Sequence, residues 1–98
     1  MAATPEAKVK KEIIKWLKAK GIWYYMPIQN GMGVVGIPDF ICCAPPLGKF
    51  VAIEAKAKGK LANVSANQAA RINEIRLAKG LAVVVDDVTL LDELLGDL

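Results

Sequence analysis

Apolar positions in the first twenty residues recur every three or four places, at Val9, Ile13, Trp16 and Leu17. That is the spacing of one helix face. Lys8, Lys11, Lys15 and Lys18 fall on the opposite face, with Glu12 at the edge of the apolar stripe. Thr4-Pro5-Glu6 reads as the start: Thr as N-cap, Pro in the first turn, an acid near the positive end of the dipole. Gly21 marks the end, after about Lys20. The pattern then changes. Ile22 to Met26 is rich in aromatics and reads as a strand, and Gln29 to Gly36, with three glycines, predicts a mobile loop. Strands near 38–44 and 49–57 follow, separated by Ala44-Pro45-Pro46-Leu47-Gly48. Phe50 to Ile53 is unbroken apolar sequence, typical of a strand covered on both faces. Lys58-Gly59-Lys60 opens another loop. Ser65-Ala66-Asn67-Gln68 begins a second helix that stops before Gly80. Leu81 to Val85 reads as a short buried strand, and about Leu90 to Leu95 as a last helix. The order α-β-β-β-α-β-α predicts an α/β (α+β) fold, a mixed sheet flanked by helices, in one domain spanning residues 1–98.

The two central strands carry the candidate chemistry. A hairpin centred between Pro46 and Leu47, with no bulge, sets Asp39 opposite Glu54. Directly opposed residues share a face, with Cβ atoms about 4.5–5.5 Å apart. Lys56, two residues beyond Glu54, shares that face too. Pro45-Pro46 disfavours a tight two-residue turn and predicts a looser loop. Two acids and a lysine on an otherwise apolar hairpin are costly unless something uses them. A divalent metal is the natural candidate. The plainer alternative is a cross-strand ion pair on a solvent-facing edge.

Composition narrows the chemistry. The chain has 98 residues, 54% of them hydrophobic, which suffices for a core and excludes a disordered chain. A net charge of +3 permits nucleic acid as a partner without requiring it. There is no His, which removes zinc sites of the Cys/His type and His-based catalysis. A metal here must be a hard, oxygen-bound ion such as Mg²⁺ or Mn²⁺. The adjacent Cys42 and Cys43 point to opposite faces of a strand, so they read as small core residues of a reducing cytosol rather than a disulfide. The longest uncharged stretch, Gly21 to Pro38, contains four Gly and two Pro and makes a poor membrane helix. Met1-Ala2-Ala3-Thr4-Pro5-Glu6 lacks the apolar stretch of a signal peptide, so no leader is expected there. No nucleotide cofactor is expected.

Pro38-Asp39 followed by Glu54-Ala55-Lys56, in this element order, resembles the PD-(D/E)xK nuclease superfamily and its restriction-endonuclease-like core. More narrowly, the chain resembles the VRR-NUC group, the virus-type replication-repair nucleases. Glu12 on the first helix, Gly36-Ile37-Pro38-Asp39, Glu54-Ala55-Lys56 and Ser65-x-x-Gln68 carry that likeness over about residues 6–90. Val34-Val35 depart from it, since related sequences often have basic residues there. The resemblance implies a metal-dependent endonuclease of a bacterial or phage-infected cytoplasm. It implies Asp39, Glu54 and the Ala55 carbonyl as metal ligands, Lys56 holding or activating water, and Glu12 and Gln68 assisting. It further implies a homodimer that cuts branched DNA such as Holliday junctions in repair.

Several of these residues have a second reading. Glu12 joins the metal site or is only a surface partner of Lys8. Gln68 is a site residue, a capping-box partner of Ser65, or both. Lys8, Lys11 and Lys15 contact phosphate or form a solvated face. Lys58 and Lys60, just past the active strand, are better placed as backbone contacts. Trp23, Tyr24 and Tyr25 read as core or subunit interface rather than a base-stacking platform. A flap- or end-directed nuclease, a general DNA nuclease, a DNA-binding module without catalysis and a small interaction protein are the competing functions.

Overall fold

The structure, a computed structural model, describes residues 4–29 and 31–98. Met1 to Ala3, in the segment read for a leader, and Asn30, within the predicted loop, lie outside the described residues. The chain runs α1 (Pro5–Ala19), β1 (Trp23–Tyr25), β2 (Phe40–Ala44), β3 (Lys49–Ala55), α2 (Ala66–Leu77), β4 (Leu81–Val85) and α3 (Val88–Leu95). This is the order expected.

Each helix begins and ends for a local reason. Thr4 caps α1, its side chain accepting from the Ala7 amide, and Pro5 fills the first position. At the other end Gly21 takes the left-handed conformation (φ 67°). Its amide donates to Lys18 O, and that of Ile22 to Leu17 O, so the orphan carbonyls are satisfied. α3 starts two residues earlier than expected, because Asp87 accepts from the Leu90 amide and caps it. The left-handed residue after α2 is Lys79 (φ 69°). The next residue, Gly80, has no room for a side chain: a Cβ there would lie 2.8 Å from Ile75 Cγ2.

The sheet has the order β1-β2-β3-β4. β1, β2 and β3 form an antiparallel meander, and β4 returns parallel to β3 after α2 crosses over. The β2–β3 register pairs Phe40 with Ile53 and Ala44 with Lys49, the register expected, closed by a four-residue loop. α1 and α3 cover one face. Val9, Ile13 and Leu17 of α1 and Leu91 and Leu95 of α3 pack there on Phe40, Val51 and Ile53. α2 covers the other face with a smaller cluster around Ala52, Ile72 and Ala82. β3 is therefore sandwiched, and Val51 through Ala55 are all buried. Phe50 is not: it is 44% exposed, because β3 enters the sheet beyond the end of α2. Cys42 is buried and Cys43, on the other face, is exposed; neither is in a disulfide. Among the described residues no helix is long and apolar enough to cross a membrane.

Candidate active site

The face of the sheet under α2 ends in three charged groups. The register that pairs Phe40 with Ile53 carries Asp39 to the position opposite Glu54. Asp39 Oδ2 accepts from the Ala55 amide at 2.9 Å, so the aspartate closes the end of the ladder. Glu54 is 3% exposed and Lys56 8%. Lys56 Nζ lies 3.5 Å from Glu54 Oε2 and donates to Gln68 Oε1 at 2.8 Å. Gln68 Nε2 in turn donates to Glu54 Oε2 at 3.1 Å.

Gln68 makes both sets of contacts at once, to Lys56 and Glu54 and to its own helix start. Its Oε1 accepts from the Ser65 amide at 3.0 Å, and the Ser65 hydroxyl accepts from the Gln68 amide at 3.1 Å. This capping box fixes the rotamer, so the amide is delivered to Lys56 and Glu54 already ordered.

The loop before Asp39 is packed onto the same helix start. Gly36 has φ 87°, and a Cβ on it would stand 2.4 Å from Asn67 C and 2.7 Å from the Gln68 nitrogen. Only glycine permits that approach. Arg71 ties the loop down further by donating to Val35 O at 3.3 Å, and Gln29 donates to Ile37 O at 3.3 Å. Gly36→Ala should therefore cost roughly 2 kcal/mol or more of stability. It should also loosen the Gln68–Lys56 contact and slow any reaction at the site. Urea unfolding measures the first effect; wild-type stability in the alanine variant would show that the close approach is not needed.

One oxygen of this cluster stands out. Glu54 Oε1 is buried and has no hydrogen-bond partner among the described residues. Burial pushes the Glu54 carboxyl up to about 7; the nearby Asp39 charge adds to this, while Lys56 opposes it. A buried, incompletely satisfied carboxylate beside a second carboxylate is a donor set that could hold a cation. Among the described residues no three His, Cys, Asp or Glu side chains gather into a metal-holding group. A cation here would thus rest on two carboxylates, a count that suits Mg²⁺.

α1 contributes differently from expectation. Glu12 is not brought to the cluster. It is exposed and pairs with Lys15 at 3.7 Å, and it borders a groove with Lys8, Lys58 and Asp87. Instead Lys10 reaches the site, its ammonium 3.5 Å from Asp39 Oδ1 and 3.4 Å from Glu6 Oε2. Two residues turn a helix by about 200°, so Lys10 and Glu12 leave α1 on nearly opposite sides. Burial pulls the Lys10 ammonium down, but Asp39 and Glu6 outweigh it and the net shift is upward. Glu6 and Lys10 were missed in the sequence, although they continue the line of Ile13 and Leu17, where charge is unexpected.

The other basic residues are spread out. Lys8, Lys11 and Lys60 are exposed. Lys58 is engaged by Asp87, so its ammonium is not a free phosphate contact. Tyr24 packs on Phe40 with ring centroids 6.1 Å apart. Trp23 and Tyr25, by contrast, are largely exposed, on the face that also carries Ile41 and Cys43. They are not core.

Comparison with family models and with curated proteins finds no match. Comparison with solved structures does. A structure titled "VRR_NUC domain" superposes with a TM-score of 0.79, covering 96% of this chain and 97% of the other. The fold is that of a VRR_NUC domain. Sequence identity across the match is 23%, so the likeness is one of backbone architecture.

Proposed function

We propose that the protein is a Mg²⁺- or Mn²⁺-dependent nuclease that hydrolyses DNA phosphodiester bonds, with Asp39, Glu54, Lys56 and Gln68 as its working groups. The observation that carries this reading is Glu54: a buried carboxylate with one unpartnered oxygen, set beside a second carboxylate and a buried lysine. Such a cluster is costly to bury, and a purely structural role would not keep it. The VRR_NUC fold supports the same reading.

Asp39 and Glu54 would hold the ion, with the Ala55 carbonyl beside them. When bound, a divalent ion polarises a phosphoryl oxygen and lowers the pKa of its water. The remaining work falls to the chain itself. Lys56 is held by Gln68 Oε1 and Glu54 Oε2, so its ammonium is fixed in direction before substrate arrives. It orients the attacking water and stabilises charge that develops on the phosphate. Gln68 keeps Lys56 and Glu54 in mutual register, and Glu12 is left with no part in the reaction. Backbone phosphate contacts fall to the exposed Lys8, Lys11, Lys15 and Lys60, with Lys58 contributing once it leaves Asp87.

Substrate and assembly extend the proposal. Trp23, Tyr25, Ile28, Val34 and Val35 expose apolar surface around one edge of the sheet. A patch of that kind suits a second copy of the chain. A two-fold dimer carries two sites with related geometry, which fits paired cuts in branched DNA such as a four-way junction. Labelled four-way junctions, flaps and linear duplexes test this. Paired symmetrical incisions near the junction centre by a dimer are expected. Cutting of flaps or ends would move the substrate, and incision by a monomer would remove the dimer.

A further inference from the structure

Asp39 has two oxygens, and both are occupied by the protein. Oδ2 accepts from the Ala55 amide at 2.9 Å, and Oδ1 faces the Lys10 ammonium at 3.5 Å. The first partner is backbone in a sheet ladder and is fixed. The second sits at the end of a flexible side chain that is 31% exposed. Lys10 also holds a second partner at the same time, one turn away: Glu6 Oε2, at 3.4 Å on the same helix. Its ammonium can therefore leave Asp39 without losing a carboxylate.

A divalent cation held by Asp39 would stand within a few ångströms of Lys10. Two like charges at that range repel strongly, and the repulsion scales with the charge of the ion. Lys10 must then give way, and it can swing off Asp39 while keeping Glu6. From there the ammonium stands at the rim of the site, where a phosphate of the substrate would meet it. Lys56 differs, being 10% exposed on its side chain and hydrogen-bonded to Gln68.

We infer that Lys10 is a displaceable internal cation: it neutralises Asp39 in the metal-free protein, is expelled when a divalent ion takes that oxygen, and then contacts a backbone phosphate of the nucleic acid. This rests on the nuclease reading and assigns Lys10 two opposed effects. It weakens metal binding and strengthens substrate binding.

Lys10→Met, which keeps the apolar stem, and Lys10→Gln, which can still hydrogen-bond Asp39, remove the charge. Lys10→Arg keeps it. Mn²⁺ affinity is measured by calorimetry on the full chain without DNA. DNA binding with Mg²⁺ is measured over a salt series in a Lys56→Met background, so that no turnover intrudes. Both neutral variants should bind Mn²⁺ about tenfold tighter than wild type. They should bind DNA several-fold more weakly, with a salt slope smaller by about one. Lys10→Arg should follow wild type in both. Equal or weaker Mn²⁺ binding by the neutral variants would overturn the inference, as would tighter Mn²⁺ binding with an unchanged salt slope. If neither wild type nor any variant binds Mn²⁺, the nuclease reading itself fails, and this inference with it.

Discussion

Glu54→Gln is expected to make the metal-free protein more stable at pH 8 while removing its response to metal. The Glu54 carboxyl is held near 7, against an ordinary value of 4.5, mainly by burial and then by Asp39. Between those values the folded protein binds a proton that the unfolded chain does not. Stability contributed by this group is therefore fully present below about pH 4.5 and is lost as pH rises through about 7. The penalty at pH 8 is at most about 3 kcal/mol, and Lys56 keeps it from being larger. Glutamine imitates the protonated acid, so wild type and variant should melt together near pH 4.5 and separate above pH 6. At pH 8 the variant should melt about 5–10 °C higher. Added Mg²⁺ or Mn²⁺ should raise the wild-type melting point and leave the variant unmoved. Because the metal needs the ionised carboxylate, wild-type affinity should climb with pH and level off above about 7. A variant less stable than wild type at pH 8, or one still stabilised by metal, would contradict this account of Glu54.

Lys56→Met is expected to have the opposite profile. Its ammonium is pinned by Gln68 and Glu54 rather than by the ligands of a metal alone. Removing it should cost roughly 10²–10⁴ in cleavage rate, the range for a positioned charge or proton-handling group. The metal-induced melting shift should persist, since Asp39 and Glu54 remain. The two substitutions thus separate holding the ion from using it. Cleavage within a few-fold of wild type in Lys56→Met would remove the lysine from the mechanism.

The central hairpin was legible because two local signals agreed: a continuous apolar run in its second strand, and two acids and a lysine gathered at the end away from the turn. Pro45-Pro46 gave only a looser loop and did not set the register. A register of this kind leaves no freedom once one face is buried, and Asp39 met Glu54 as a result. Gln68 was legible too, since Ser65-x-x-Gln68 places it at the start of a helix, and the site lies next to that start. α1 was harder. Periodicity shows which side of a helix is buried, but not which end of the buried line overhangs the sheet. Glu12 carried the family pattern, whereas Glu6 and Lys10 carried the geometry. The Lys58–Asp87 pair joins residues 29 apart in sequence, and no local spacing announces it. Trp23 and Tyr25 looked like core or subunit interface by residue type, and core is not where they lie. They stay exposed because β1 is an edge strand and α2 packs mainly over the opposite edge, on β4.

The most direct test is hydrolysis itself. Purified wild type, Asp39→Ala and Lys56→Met are incubated with labelled single-stranded, duplex and four-way-junction DNA, each with Mg²⁺, Mn²⁺ or EDTA. Metal-dependent cleavage by wild type alone is the predicted result. Cleavage that persists in EDTA or in Asp39→Ala, or no cleavage of any DNA under either metal, would contradict the assignment of this site as a metal-dependent nuclease centre.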